Sequence, residues 1–180
     1  MNIHLLPHRF DVSSLAQQLA AHPEVWNEYR WRTEHPRSPH REIDDIWARY
    51  NAPENVGSRF NEPHEAVWYP VVEKLPALRP LVFDVMRTVE GEHLGGVLIT
   101  RVPAGKQVYP HVDQGWHALH YRKFAVQIAG NVEQSFCFEN EGLSALPGEL
   151  YEFNNQAPHW VVNPTPEARV TLICCIRRAH

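Results

Sequence analysis

From Gly95 onward the chain is a succession of short apolar runs cut by turn residues, and this punctuation restricts the fold more than any other feature. The runs cover about residues 97–102, 107–112, 122–128, 134–139, 149–153, 159–162 and 169–177. Between them stand Pro103-Ala104-Gly105, Ala129-Gly130-Asn131, Asn140-Glu141-Gly142, Pro147-Gly148, Asn154-Asn155 and Asn163-Pro164-Thr165-Pro166, each a turn signal. Strands this short and this regularly spaced predict a sandwich or jelly roll.

The first half follows a different grammar. Val12, Leu15, Ala16 and Leu19 recur at helical spacing, with Asp11 or Ser14 placed to cap and Ser14 and Gln17 spaced as a capping box. Residues 33–64, rich in Pro, His and charge, predict irregular structure with one helical turn around 44–50. A second helix is expected from about 75 or 80 to 89, with Leu81, Val82, Val85 and Met86 on one face. The chain of 180 residues suits one core. The expected architecture is thus one mainly β domain over 1–180. A double-stranded β-helix (a cupin-like jelly roll) spans 95–180, and a mostly helical region, 1–94, packs on its outer face.

Composition narrows the function classes. The net charge is −4 and no Lys/Arg stripe is present, which argues against a nucleic-acid partner. No run of 18 apolar residues predicts a membrane span, and Met1 to Pro7 lacks the basic and apolar regions of a secretory signal. Cys137, Cys174 and Cys175 fit neither a disulfide framework nor a tetrahedral zinc site, so they read as reduced core thiols and the expected location is cytoplasmic. Nucleophile-elbow and phosphate-loop patterns are missing.

The residues that carry chemistry are His111, Asp113, His159 and Arg169. Side chains on a strand switch faces at every residue, so His111 and Asp113 point the same way while Val108, Pro110 and Val112 take the other face. With His159 they supply two imidazoles and one carboxylate, the facial-triad set that leaves open positions on a non-haem Fe(II) for O2 and a cosubstrate. In a chain with twelve His, a His-x-Asp pair is also an ordinary surface feature. Arg169 heads a run apolar on both faces, where its guanidinium either escapes to solvent or forks around a carboxylate. Arg122 shares parity with Phe124, Val126 and Ile128, which calls for a partner, either an acidic side chain or a bound carboxylate. Thr100 faces inward if Arg101 faces water. A competing imidazole-rich zinc set is His111, His117 and His120.

The stretch from Thr100 to His111 resembles the lead into the first metal histidine of the aspartyl/asparaginyl β-hydroxylase family of Fe(II)- and 2-oxoglutarate-dependent oxygenases. The approach from Glu149 to His159 is similar to that of the family's distal ligand. The match covers about 95–177, and the segment from His40 to Trp47 is similar to small bacterial and phage members. The resemblance implies that His111, Asp113 and His159 ligate Fe(II) and that Arg169 and Thr100 bind 2-oxoglutarate. It also implies, from Arg122-Lys123-Phe124 in place of the family's Arg-x-His, that Arg122 contacts the oxoacid end. The implied chemistry is hydroxylation of a C–H bond of an amino acid, peptide or small molecule with O2, releasing succinate and CO2. Two departures stand out: Asp113 occupies a position that is Gly in animal members, and Phe124 replaces the second cosubstrate-contacting His. The animal members' membrane anchor and helical repeat domain have no counterpart, so their substrate class does not carry over. Asp44, Asp45, Trp47, Arg49, Trp116 and His117 are candidates for substrate contact. Alternatives are a cupin-like metal enzyme that does not use 2-oxoglutarate, and a silent jelly-roll binding module.

Overall fold

The computed structural model describes residues 1–57 and 59–178. In chain order its strands are β1 (Ile3–Arg9), β2 (Asp44–Tyr50), β3 (Val67–Trp68), β4 (Gly91–Val102), β5 (Gln107–His111), β6 (Arg122–Ala129), β7 (Ser135–Phe138), β8 (Gly142–Leu143), β9 (Glu149–Phe153), β10 (His159–Val162) and β11 (Arg169–Arg178). Three α-helices accompany them: α1 (Ser13–Ala21), α2 (Leu78–Thr88) and the short α3 (Trp116–His120). A seven-stranded sheet runs β1-β9-β6-β11-β4-β2-β3, and a four-stranded sheet runs β5-β10-β7-β8. All pairings are antiparallel, and the two sheets face each other as a jelly roll.

Two apolar layers hold this arrangement, one on each face of the large sheet. On the outer face Leu15 and Leu19 of α1, and Leu78, Leu81, Val82 and Val85 of α2, pack with Val97, Ile99, Val126 and Leu172. On the inner face Val102, Ala125 and Tyr151 meet Val108, Phe136 and Val161 of the small sheet. The central strands are therefore buried on both sides, which is why β11 reads as an unbroken apolar run rather than an alternating one.

The N-terminal half departs from the helical expectation. Residues 44–50 form β2 and not a helical turn, because they insert between β4 and β3 and gain two backbone ladders. With both faces covered, Ile46, Trp47 and Ala48 are all buried, so no period-two signal marks the strand. The opening residues are likewise a strand, β1, which extends the large sheet beyond β9. The Ser14–Gln17 capping box does not form. Val12 is the N-cap of α1, and the Asp11 carboxylate accepts the Ser13 N–H at 2.9 Å one step earlier. Gly148 ties this region to the barrel: at φ +87°, it passes so close to Phe10 that a Cβ would sit 2.3 Å from the Phe10 carbonyl.

Candidate active site

Strand register builds the centre. His159 of β10 stands directly opposite His111 of β5, with ring centroids 4.3 Å apart. Asp113 follows two residues beyond His111, and its N–H donates to the Asn155 carbonyl at 3.1 Å. One ligand atom from each of His111, Asp113 and His159 lies within 4.8 Å of the others, the only such group of three among the described residues. Each histidine points Nδ1 at a main-chain carbonyl, His111 at Tyr109 (2.8 Å) and His159 at Ala157 (2.9 Å). A carbonyl can only accept, so Nδ1 carries the proton and both Nε2 lone pairs are free for a metal. Burial lowers the His159 imidazole below its ordinary value, which keeps it neutral. Burial alone would raise the Asp113 carboxyl, but the Lys123 ammonium at 3.5 Å holds it well below the usual carboxylate range. Two imidazole nitrogens and an ionised carboxylate fit a divalent first-row metal such as Fe(II).

Arg169 enters the same cavity from the head of β11 and is 2% exposed. Its hydrogen bonds among the described residues go to two neutral hydroxyls, Thr171 Oγ1 at 2.7 Å and Tyr151 OH at 3.2 Å. A buried guanidinium without a carboxylate carries a large desolvation cost that a bound anion relieves. Thr100 lies beside it, since Thr100 and Thr171 are cross-strand partners and both line the cavity.

Other expected residues fall elsewhere. Arg122 points out of the barrel, its side chain 53% exposed and paired with Glu152. Phe124 packs under the helices. The inward positions of β6 are instead Lys123 and Ala125, one residue on from the aligned pair. Parity counting failed here because both faces of β6 are covered, so the apolar face gives no phase. Asp44 binds Arg101 and Asn27 outside the cavity, and Arg49 lies over Trp68. Trp47 belongs to an aromatic cluster with Trp31, Tyr50 and Phe60. Trp116 stacks on His120. His117 is buried, and its Nε2 accepts the Gly96 N–H at 3.1 Å. Burial pushes its imidazole down to about 2. The zinc set of His111, His117 and His120 does not come together: His111 instead groups with Asp113 and His159 among the described residues. Asp45 does not touch the cavity but grips a residue that does.

That residue is Arg32, which lines the cavity together with His40, Ile43 and Lys123. None of these was singled out from sequence. Lys123 was hidden by the parity error. Arg32 lies just ahead of residues 33–64, outside the segment that its Pro, His and charge content marked, and His40 was marked only by that content and by the resemblance over His40 to Trp47.

A family model described as aspartyl/asparaginyl beta-hydroxylase matches residues 17–179. A search of curated proteins finds no match. Among solved structures, a prolyl hydroxylase from Trichoplax adhaerens, in complex with a hypoxia inducible factor oxygen degradation domain peptide fragment, superposes with a TM-score of 0.58 at 12% identity, covering 97% of this chain and 83% of that one. The viral collagen prolyl hydroxylase of Paramecium Bursaria Chlorella virus-1 gives 0.54 at 9% identity, over 99% and 97% of the two chains. A Pseudomonas putida prolyl-4-hydroxylase gives 0.51 at 14%, over 99% and 94%. These likenesses show a common fold. No helix among the described residues is long and apolar enough to cross a membrane.

Proposed function

The chain belongs to the aspartyl/asparaginyl β-hydroxylase family, and from that premise we propose that it is an Fe(II)- and 2-oxoglutarate-dependent oxygenase that hydroxylates an unactivated C–H bond of a small molecule or peptide. The observation that carries the proposal is the pairing, in one cavity, of a His-Asp-His cluster with a buried arginine that has no acidic partner among the described residues. When bound, Fe(II) with 2-oxoglutarate and O2 supplies the oxidising power, releasing succinate and CO2.

The chain's own residues hold and orient. His111 and His159 would offer Nε2, and Asp113 an oxygen, to the metal. The Lys123 ammonium, 3.5 Å from Asp113 Oδ2, keeps that carboxylate ionised and fixed in direction. Arg169 would receive the distal carboxylate of 2-oxoglutarate, with Thr100 and Tyr151 adding hydroxyls. Val102, Val108, Phe136 and Phe153 line the remaining wall and exclude water from the reacting centre.

The test is succinate release from 2-oxoglutarate in the presence of Fe(II), including the slow turnover without prime substrate. Arg169→Ala should weaken 2-oxoglutarate binding at least about 10-fold, as expected for a lost charge-assisted pair, while metal affinity stays. A cupin-like enzyme that ignores 2-oxoglutarate would release no succinate, and a silent module would bind neither metal nor oxoacid in calorimetry.

A further inference from the structure

Part of the cavity wall is not made by the barrel. Residues 27–43, without regular structure, contribute Arg32, His40 and Ile43 to its lining, and are pinned at one end by Trp31, which packs with Tyr29 (4.4 Å), Phe60 (4.5 Å) and Trp47 (5.1 Å). At the other end the Pro39 carbonyl accepts the Tyr109 N–H at 2.9 Å, and the Arg41 guanidinium lies 3.4 Å over the Tyr109 ring. Between these anchors the strap delivers Arg32 and His40 to the cavity, His40 packing edge-on against His111 at 4.5 Å.

We propose that Arg32 is the specificity-determining residue for the prime substrate, and that this substrate is a carboxylic acid with a compact apolar body, its carboxylate received by the free edge of the Arg32 guanidinium. The proposal rests on the oxygenase reading above.

Three observations support it. The first is orientation. Arg32 Nε and Nη2 each donate to Asp45 at 2.7 Å, and Asp45 is fully buried, so one edge of the guanidinium is locked. Its remaining N–H groups make no hydrogen bond among the described residues, while the side chain, 26% exposed, lines the cavity. A guanidinium offers donors along more than one edge, so the second edge is a ready fork for a carboxylate.

The second is charge. Arg32 balances Asp45 and Lys123 balances Asp113, which leaves Arg169 unbalanced among the described residues. A divalent metal and doubly charged 2-oxoglutarate cancel each other, so one positive charge is left over in the loaded cavity. A monocarboxylate neutralises it, and a cationic group would face an uncompensated like charge at low dielectric. The third is the lining around the cations: Ile43, Leu98, Val102, Val108, Phe136 and Phe153 suit an aliphatic or small cyclic body.

The test is calorimetric binding under argon to the protein loaded with Fe(II) and 2-oxoglutarate. The probes are aliphatic acids, free amino acids and N-acetyl amino acids, each paired with its primary amide. Acids should bind at least about 10-fold tighter than their amides, the scale of one charge-assisted pair. Because Arg32→Gln alone strands a buried carboxylate, two variants are used: Arg32→Lys, which keeps a charge for Asp45 but loses the fork, and Arg32→Gln with Asp45→Asn, which leaves no unpaired charge. In both, the acid-to-amide ratio should fall below about 3-fold while 2-oxoglutarate affinity holds within about 3-fold. The proposal is overturned if no acid binds, if amides bind as tightly as acids, or if the ratio survives in both variants. Failure of the wild-type protein to bind 2-oxoglutarate overturns the oxygenase reading itself, and that result is read before any probe is added.

Discussion

His111 and His159 face each other because strand register puts them there, whereas Arg32 and His40 reach the same cavity on a segment with no regular structure. The ligand pair is fixed by backbone ladders on both sides of β10, which pairs with β5 and β7 at once. The strap is held by aromatic packing around Trp31, hydrogen bonds that tie Asn27 to Asp44 and Asp45 and Pro39 and Glu42 to Tyr109, the Arg41 guanidinium over the Tyr109 ring, and the Asp45–Arg32 ion pair. A wall fixed by register keeps its geometry when side chains change, and a wall fixed by a few side chains can be retuned by changing one. Chemistry common to a family suits the first wall, and selectivity among substrates suits the second.

The largest expected effect breaks the register-built wall. His159→Ala removes one of three ligands and should lower Fe(II) affinity at least about 100-fold, above the range seen for losing only a ligand's supporting hydrogen bond. It also leaves a cavity beside Phe136, whose ring is stacked on His159 at 5.5 Å. Calorimetry with Fe(II) under argon checks the affinity, and far-UV circular dichroism checks that the sheets persist. A metal site built on His117 and His120 would leave that affinity unchanged.

The second prediction attacks the strap. Trp31→Ala removes the ring that touches Tyr29, Trp47, Phe60 and Tyr69. The residue is partly buried, so the loss of stability should be about 3 kcal/mol, at the low end for deleting a core aromatic. Urea unfolding measures it. The comparison of the two walls gains its sharpest form here: discrimination between acid and amide probes should weaken, while Fe(II) and 2-oxoglutarate affinities stay within about 3-fold. Equal losses in all three would mean that the strap supports the barrel rather than lining it.

How much of this was legible in the sequence follows the same division. Where a strand ends at a turn and carries a charged or ligating residue at its head, as at His159 and Arg169, the residue could be found by reading alone. Six of the later runs likewise emerged close to their observed bounds, because Gly, Pro and Asn mark their ends, whereas the run 97–102 is only the second half of β4 and the two-residue β8 was read as a turn. β2 was missed, since a strand buried on both faces shows no alternation and Asp44-Asp45 looks like a solvated start. Arg32 was missed for a different reason. Its position depends on Trp31 finding Phe60 and Trp47, and on Asp45 arriving beside Thr100, contacts that no local pattern encodes.

The smallest expected effect concerns β6, where sequence and structure disagree about which residue looks inward. Family resemblance assigned Arg122 to the oxoacid end of the cosubstrate, and strand parity appeared to agree because Phe124, Val126 and Ile128 are apolar. Those three residues face the helices, a second apolar layer that parity cannot distinguish from the barrel interior. Arg122 lies at the edge of that layer, half exposed and paired with Glu152, a geometry worth about 0–1 kcal/mol. Arg122→Ala should therefore shift the urea midpoint slightly and change the KM for 2-oxoglutarate less than about 2-fold. Lys123→Ala, by contrast, removes the cation that steadies Asp113, so Fe(II) affinity should fall by about 10-fold, the lower bound for a ligand's hydrogen-bonding partner. A KM raised 10-fold in Arg122→Ala with Lys123→Ala unaffected would reverse the facing of β6 and return the resemblance's register to the site.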